Sequence, residues 1–319
     1  MTDEWDAVVI GGGAAGLSAA QMLGRSKRRT LVIDAGLPRN RFAARMHGVL
    51  GHDGVDPMAL LETGRAEARR YGVEFAVGTV AKLSDGGDRM TVTREDGSVD
   101  RARAVVIASG IIDHLPDVPG LAGQWGRTVL HCPYCHGWEV AGQRLGVLLM
   151  SEASKHQLEL VRQLSDDVTA FTASVEPLDD AANSRLAARG VGVVSATVVR
   201  VDHRPDGLAV VTDDGEEHLV DALFAGGSPV LNIELADGLD LARVDGPGSA
   251  LAADLRGGTS HRRVFAAGNV IAPFANVPVS MGSGSMAGAG ANGMLAAEDF
   301  DIAVSAAISA SSAERAARD

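Results

Sequence analysis

Two cysteines and two histidines make up the most reactive segment of the sequence, HCPYCHG at residues 131–137. Cys132 and Cys135 are the two cysteines of the chain, and His131 and His136 stand directly outside them. Thiols at this spacing can exchange two electrons with a substrate, bind a metal ion or pack without chemistry. A neighbouring imidazole favours electron exchange, because it can take the proton of a thiol and leave the reactive thiolate.

Zinc binding and inert packing are the alternatives for this cysteine pair. A tetrahedral zinc site needs two further ligands, and the sequence offers neither a third cysteine nor an HxxxH pair. Inert packing stays open, although Pro133 and Gly137 indicate an exposed turn. We therefore predict redox chemistry without a metal site. His136 is the predicted base, and His131 is either a second one or a hydrogen-bonding residue of the loop.

A glycine-rich turn near the start of the chain predicts dinucleotide binding. Gly11, Gly13 and Gly16 form GxGxxG between an apolar run and a helical pattern, and Asp34 closes the next apolar run. The glycines permit a tight turn and close approach of a pyrophosphate to a helix N-terminus, and Asp34 can accept a hydrogen bond from a ribose hydroxyl. The pattern does not distinguish FAD from NAD, and a turn without a ligand is the alternative.

The elements that must position these residues follow an α/β pattern. One strand, helix, strand unit spans residues 6–34, and a second begins at RLGVLLM (144–150). Two such units predict two nucleotide-fold domains, with an inserted antiparallel layer. Around them we expect, in chain order, a polar loop at 39–54, a helix at Pro57–Tyr71, short alternating strands, a last strand at 263–269, a helix at about Ser280–Asp299 and a solvated or frayed tail.

The turn of the second unit, MSEASK (150–155), contains no glycine. We place Met150 and Glu152 at the first two glycine positions, where their side chains would keep a pyrophosphate from the backbone amides. A Thr-Ala-Ser run (172–174) stands where arginines would meet a 2′-phosphate. The second domain is therefore predicted to keep the fold without the nucleotide. A degenerate turn that still binds weakly, or a turn displaced by a residue or two, is the alternative.

Composition and charge narrow the partners. The formal net charge of −12 disfavours nucleic acid and anionic lipid, and no apolar run reaches the roughly 20 residues of a membrane span. The acidic start, MTDEWD, lacks the basic region of a signal peptide. We expect a cytoplasmic protein, in which a CxxC pair is more often catalytic or metal-binding than a static structural disulfide.

Four motifs in order resemble the low-molecular-weight thioredoxin reductase family over nearly the whole chain. They are GGGAAGLSAA (11–20), IASG (107–110), CPYCHG (132–137) and VFAAGNV (264–270). The resemblance implies an α/β fold of two Rossmann-like, three-layer domains and a homodimer. In that arrangement an FAD domain at residues 1–116 and 233–319 is split by a CxxC domain of degenerate NADPH type at 117–232.

The resemblance also implies roles for residues. FAD would lie on Gly11, Gly13 and Gly16, with Asp34 at the adenosine ribose. Cys135 would face the flavin, and Cys132 would exchange with substrate. The other implied flavin-contacting residues are Asn40, His47, Gly110, Gly268, Asn269 near the ribityl chain, and Val277.

The sequence departs from the reductases at three points. In these it resembles instead the FAD-dependent dithiol oxidases of the gliotoxin and holomycin type. His136 replaces an Asp after the second cysteine, Asn269 replaces an Asp after Gly268, and the second turn lacks glycine. The resemblance implies a small-molecule dithiol substrate whose disulfide is closed while electrons pass through CxxC to FAD and then to O2, giving H2O2. The alternatives are a thioredoxin-like or small-disulfide reductase fed by NADPH or another donor, and a non-catalytic flavin redox sensor or dithiol-binding protective protein.

Overall fold

The computed structural model describes residues 3–245 and 249–316. Its strands are short and mostly apolar, and they alternate with turns that contain glycine. In chain order they are β1 (Asp3–Ile10), β2 (Thr30–Asp34), β3 (Glu74–Val77), β4 (Val80–Asp85), β5 (Met90–Arg94), β6 (Val99–Ile107), β7 (Ile111–His114), β8 (Val129–Leu130), β9 (Leu145–Leu148), β10 (Val168–Phe171), β11 (Gly192–Val194), β12 (Val198–Arg204), β13 (Gly207–Thr212), β14 (Glu217–Val220), β15 (Ala222–Ala225), β16 (Ser228–Leu231) and β17 (Val264–Ala266).

The helices begin close to where the sequence predicts them. The predicted helix at Pro57–Tyr71 ends one residue earlier, and the predicted last helix continues to Ala316. The α-helices are α1 (Ala14–Arg25), α2 (Pro57–Arg70), α3 (Pro133–His136), α4 (Glu152–Arg162), α5 (Asp180–Ala188) and α6 (Val277–Ala316). Short 3₁₀ helices lie at Ala122–Gln124, Trp138–Val140, Glu234–Leu239 and Gly268–Val270. Within the described part of the chain, no helix is both long enough and apolar enough to span a membrane.

The chain divides into two compact units. The first contains residues up to 38, residues 59–112 and residues from 230 onward, and the second contains 39–58 and 113–229. The predicted boundaries after residues 116 and 232 lie close to these limits. Segment 39–58, expected in the first domain, groups with the second unit. The two strands at the boundaries, β7 and β16, pair with each other.

The first unit is a seven-stranded sheet with helices packed on one face. Its order is β3-β2-β1-β6-β5-β4, and β17 pairs with the later part of β6. β1 is parallel to β2 and β6, and alternate residues of β1 enter two different cores, with Val8 and Ile10 on one face and Ala7 and Val9 on the other. This burial on both faces is typical of a parallel strand in a Rossmann-like domain. α1 and α6 pack on the second face.

The second unit repeats the parallel arrangement with a smaller sheet. Its five strands run β11-β10-β9-β15-β8, all parallel, and β12, β13 and β14 form a separate antiparallel sheet. One core lies between the two sheets, and another lies between the parallel sheet and α4, where Leu158 and Val161 are buried. The predicted α/β class with two Rossmann-like domains and an antiparallel layer is confirmed.

Candidate functional site

The turn between β1 and α1 holds the fingerprint glycines, which have different local reasons. Gly11 has φ +101°, and a β-carbon there would overlap the carbonyl oxygen of Ala108. A β-carbon at Gly16 would overlap the carbonyl oxygen of Gly11. At Gly13, the N-cap of α1, an added β-carbon would meet no atom within 4 Å among the described residues, and no side chain caps the helix. The first-turn amides of α1 therefore face open surface, which fits a dinucleotide pyrophosphate.

Asp34 lies at the end of β2, beside this turn. A β-carbon at Gly12 would contact its carboxylate, which measures how close the two are. The carboxylate accepts hydrogen bonds from Nη2 of Arg65 at 2.8 Å and from the amide of Gly36 at 3.1 Å. Asp34 is thus held as a paired carboxylate next to the open turn, where it can face a ribose. Arg65, in α2, is a residue that no motif indicates, because its link to Asp34 exists only in the folded chain.

The neighbouring strands end at the same edge of the sheet and bring in further predicted residues. Gly110 follows β6 with φ +72°, and Gly268 follows β17 with φ +73°. The side-chain Nδ2 of Asn269 donates to the carbonyls of residues 272, 273 and 275 at 3.0 to 3.1 Å. Val277 begins α6. Asn269 therefore shapes its own loop, and its contact with a ribityl chain stays a prediction.

The two cysteines lie where β8 leads into α3. Cys132 precedes the helix, Cys135 is part of it, and a disulfide joins them with their Cα atoms 5.2 Å apart. Both are half-buried, so the segment is less open than the turn the sequence predicts. Tyr134 and Trp138, by contrast, are 77% and 86% exposed. One exposed aromatic side chain therefore stands between the two cysteines, and a second follows three residues after Cys135.

His136 ends α3, directly after Cys135. Its two ring nitrogens are buried, and neither has a hydrogen-bond partner in the described part of the chain. Burial lowers the pKa of His136 below its ordinary value of 6.5; the Glu139 carboxylate opposes this shift, and His47 adds to it. The imidazole is thus neutral at pH 7 with a nitrogen ready to accept a proton, as a general base for a thiol requires.

His131 stands on the other side of the pair. Burial lowers its pKa, the Arg39 guanidinium adds to the shift, and Asp113 and the carbonyl of Ala225 oppose it. Arg39 and Asp113 form a two-point ion pair with both N–O distances at 2.7 Å. The His131 ring centroid lies 6.2 Å from that of Trp125, and its buried Nδ1 has no partner among residues 3–245 and 249–316. His131 is therefore also neutral at pH 7, with Nδ1 as its open nitrogen.

A loop from much earlier in the chain, HGVLGHDG (47–54), adds charge to the dithiol segment. Nε2 of His47 lies 3.2 Å from Oε1 of Glu139, and Nδ1 lies 3.3 Å from Oδ2 of Asp53. The amide of Gly48 donates to the other oxygen of Asp53 at 3.0 Å. Sequence reasoning assigned His47 to the flavin and missed both carboxylates. The cluster of His, Asp and Gly in the loop was the one signal that could have found them.

The turn between β9 and α4 can be aligned with the first turn by its hydrogen bonds. The amide of Gly11 donates to the last carbonyl before Asp34 at 2.8 Å, and the amide of Leu149 donates to the last carbonyl of β10 at 3.0 Å. Ser151 is the N-cap of α4, as Gly13 is of α1. Leu149, Ser151 and Ser154 therefore occupy the positions of Gly11, Gly13 and Gly16.

The predicted alignment, with Met150 and Glu152 at the first two positions, is wrong by one residue. The apolar run continues past the end of β9, so its pattern could not mark where the strand stops. The corrected positions, Leu149, Ser151 and Ser154, also contain no glycine. Leu149 is fully buried, and Ser154 is nearly so. The hydroxyl of Ser154 accepts a hydrogen bond from the amide of Met150 at 3.2 Å. An amide of this turn is thus satisfied inside the protein.

The structure divides the predicted site residues between the two units. The first unit contains Gly11, Gly13, Gly16, Asp34, Gly110, Gly268, Asn269 and Val277. The second contains Asn40, His47, His131, Cys132, Cys135 and His136. Asn40 and His47, predicted to contact flavin, thus belong to the unit of the dithiol. Among the described residues, no three His, Cys, Asp or Glu side chains are grouped as metal ligands.

A comparison with protein families accounts for this pairing of a nucleotide turn with a dithiol. Residues 5–289 match the model of the family described as pyridine nucleotide-disulphide oxidoreductase. The chain belongs to this family. Its nucleotide turn and its disulfide are thus parts of an oxidoreductase.

Relatives in the pyridine nucleotide-disulphide oxidoreductase family agree over most of their length. The thioredoxin reductase sirT of Leptosphaeria maculans is 34% identical over 90% of this chain and 93% of its own. The thioredoxin reductase tcpT of Claviceps purpurea (strain 20.1) is 34% identical over 92% and 95%. The crystal structure of HlmI is 41% identical, covers 97% of this chain and 99% of its own, and superposes with a TM-score of 0.91. This family member is therefore thioredoxin reductase-like in sequence and in fold.

Proposed function

We propose that the protein is an FAD-dependent dithiol oxidase that closes a disulfide in a small-molecule dithiol. Electrons enter at the Cys132–Cys135 disulfide and leave to O2, which becomes H2O2. The observation that carries the proposal is the second turn, where Leu149, Ser151 and Ser154 replace the glycines of a nucleotide-binding loop. A member of this family without a nicotinamide site needs another electron source, and the disulfide is the group suited to receive electrons from a thiol.

The residues present in the first unit fit FAD. Gly13 leaves open space at the N-terminus of α1, and Asp34 stands beside it for the adenosine ribose. When bound there, FAD supplies a two-electron acceptor that regenerates the cysteine disulfide and passes the electrons to O2. Gly11 and Gly16 hold the turn in the shape that this binding requires.

The chemistry of the chain begins with a proton. The neutral imidazole of His136 takes the proton of one substrate thiol, and the resulting thiolate attacks the sulfur of Cys132. The S–S bond of the protein breaks, Cys135 leaves as a thiolate, and substrate and Cys132 are joined in a mixed disulfide. The second substrate thiol attacks the substrate sulfur of that bond and releases Cys132 as a thiolate, which takes the proton of the second thiol. Two electrons have then moved from substrate to the cysteines, and the substrate has gained one S–S bond.

The surroundings of the disulfide support a small ring-containing substrate. Tyr134 stands between the cysteines and Trp138 follows shortly after, and both are exposed. Aromatic faces of this kind offer flat apolar contact to a heterocycle while the disulfide stays half-buried. The CxxCH motif, which resembles the dithiol oxidases, supports the same substrate class.

Oxygen uptake with a cyclisable dithiol such as dithiothreitol tests the proposal. We expect one O2 consumed and one H2O2 formed for each disulfide closed, with half of the oxygen returned when catalase is added. Disulfide formation without oxygen uptake would reject O2 as the acceptor. An absence of dithiol oxidation altogether would reject the proposed function.

A thioredoxin-type reductase is the second candidate, because the curated relatives carry that name and the second unit keeps a Rossmann-like fold. In that reaction electrons run from a nicotinamide nucleotide to the disulfide, opposite to the proposal. The two functions therefore differ in which reagent reduces the flavin.

A further inference from the structure

We propose that Glu139 is a positioning residue that stabilises the protonated form of His136, and that His47 and Asp53 hold it in place. The inference rests on the proposed function, in which His136 takes the proton of a substrate thiol. That step moves one proton from sulfur to a ring nitrogen and moves no electrons. It creates a positive charge on a side chain whose ring nitrogens have no hydrogen-bond partner within residues 3–245 and 249–316, so a nearby negative charge stabilises the product of the step.

Helical geometry places Glu139 on the same side as His136. α3 ends at His136, and Gly137 continues the right-handed turn with φ −74° and ψ −29°. The next 3₁₀ helix, Trp138–Val140, carries Glu139 three residues after His136. Residues three apart on a helical turn are neighbours. The effect of this carboxylate on His136, which favours the charged imidazole, agrees with this placement.

The buried position of His136 makes an external partner necessary. A charged imidazole without a hydrogen bond in a partly desolvated site is unfavourable, which is why its pKa is lowered by burial. A carboxylate held nearby offsets this cost as the proton arrives, as the acidic member of a Ser-His-Asp triad does for its histidine. Glu139 is the carboxylate on the turn that directly follows α3, three residues after His136, and its charge favours the protonated imidazole.

His47 and Asp53 restrain Glu139 from the other side. The His47 ring bridges the two carboxylates, with 3.2 Å to Glu139 and 3.3 Å to Asp53, and its side chain is 21% exposed. Asp53 is anchored by the Gly48 amide, and this bond and His47 lower the pKa of Asp53. A half-exposed glutamate would otherwise sample several rotamers. The bridge therefore confines its carboxylate to one place beside the dithiol segment.

The neighbouring helix α4 carries an uncharged side chain and an ion pair in its first turns. α4 packs on α3, and the side-chain Nε2 of its Gln157 donates to the carbonyl of His131 at 2.5 Å. Lys155 on the same helix pairs with Glu152 at 2.8 Å. The charges that act on His136 are those of Glu139 and, with opposite sign, His47.

The test is the titration of His136 in the oxidised, FAD-loaded protein, followed by NMR of its ring nitrogens. Glu139→Gln keeps the size and polarity of the side chain and removes its charge. We expect the His136 midpoint to move to lower pH by about one unit, which is a tenfold change in the protonation constant. His47→Gln should shift it less, because Glu139 keeps its charge, and the loss of its restraint is offset by the loss of His47, which itself lowers the pKa of His136.

Glu176→Gln is the matched control, since it removes one carboxylate from an exposed position of the same unit. Its His136 titration should match the wild type. Equal titrations in Glu139→Gln and Glu176→Gln would overturn the inference. The NMR readout needs no turnover, so it stays informative even if dithiol oxidation fails, and that failure alone would count against the proposed function.

A kinetic readout separates positioning from general structure. Glu139→Gln should slow anaerobic dithiol-driven bleaching of the flavin by about tenfold at pH 7, below the effect of removing His136 itself. The pH at which the rate falls off should move together with the NMR midpoint. A slower rate with an unmoved pH profile would contradict the assigned role.

Discussion

Two turns of the same backbone design stand in this protein, and they differ in the residues at the three positions of the glycine fingerprint. Each turn follows a parallel strand and leads into a helix, and its first backbone amide donates a hydrogen bond to a carbonyl of the neighbouring strand. The first presents Gly13 with empty space above it, whereas the second presents Ser151. Behind Ser151, Leu149 is buried and Ser154 binds an amide of the turn.

This difference indicates that a Rossmann-like unit can keep its fold without binding a nucleotide. The second unit keeps its parallel sheet because β9 and β10 bury apolar side chains on both faces, which requires no nucleotide. Ligand binding depends instead on a few positions in one turn. A unit that retains its core and fills this turn is free to serve as the support for a dithiol.

Removing the disulfide should have the largest effect on flavin reduction among the changes that test this difference between the two turns. If the second turn admits no nicotinamide nucleotide, the cysteines are the entry for electrons. Cys135→Ser should abolish flavin reduction by dithiols while FAD content stays unchanged, as measured by anaerobic absorbance spectroscopy. Dithiol-driven bleaching in this variant at the wild-type rate would show that electrons reach the flavin by another route.

Gly13→Ser gives the first turn the residue of the second. A β-carbon and hydroxyl would fill the open space at the α1 N-terminus, where a pyrophosphate must come close to the backbone amides. We expect FAD affinity to fall by about 100-fold, which corresponds to the loss of roughly 3 kcal/mol of phosphate contacts. Equilibrium dialysis measures this, with Ser151→Gly as the matched control that should leave FAD binding unchanged. Normal FAD affinity in Gly13→Ser would break the comparison.

His136→Ala tests whether the proton of the substrate thiol passes to His136. Burial lowers the pKa of His136, so in the native protein the base is neutral at pH 7 and is lost only as the pH falls through that lowered value. The variant should reduce its flavin about 100-fold more slowly near neutral pH. It should also lose the fall in rate on the acid side. An unchanged pH profile of the single-turnover rate would remove His136 from the mechanism.

Ser154→Ala has the smallest expected effect. It removes the hydroxyl that accepts from the Met150 amide, at a cost of about 1 kcal/mol in the free energy of unfolding. Denaturant unfolding followed by far-UV circular dichroism measures the loss, and FAD content should not change. A gain of NADPH binding in this variant would instead show that the second turn is only weakly closed.

The sequence predicted most of the architecture, because both strand, helix, strand units carry local signals of turn and period. The glycines of the first turn could be placed to the residue. The second turn was misplaced by one position, since Leu148 and Leu149 are equally apolar and only the hydrogen bond of Leu149 shows where the ladder ends. Local pattern is weakest where two similar residues differ only in a backbone contact.

The surroundings of the dithiol could be predicted only in part. The Cys132–Cys135 pair and His136 follow from one short motif, which is local in the sequence. The bridge from His47 to Glu139, and the ion pair of Arg39 with Asp113, 74 residues further along the chain, depend on segment 39–58 belonging to the second unit. No periodicity within that polar loop states which core it will join.

Anaerobic rapid mixing of the FAD-loaded protein with NADPH or with a dithiol tests the central claim most directly. We expect the dithiol to bleach the flavin within one turnover, whereas NADPH in excess should leave it oxidised. Rapid bleaching by NADPH, with none by the dithiol, would reject the oxidase function and assign the protein to the reductases.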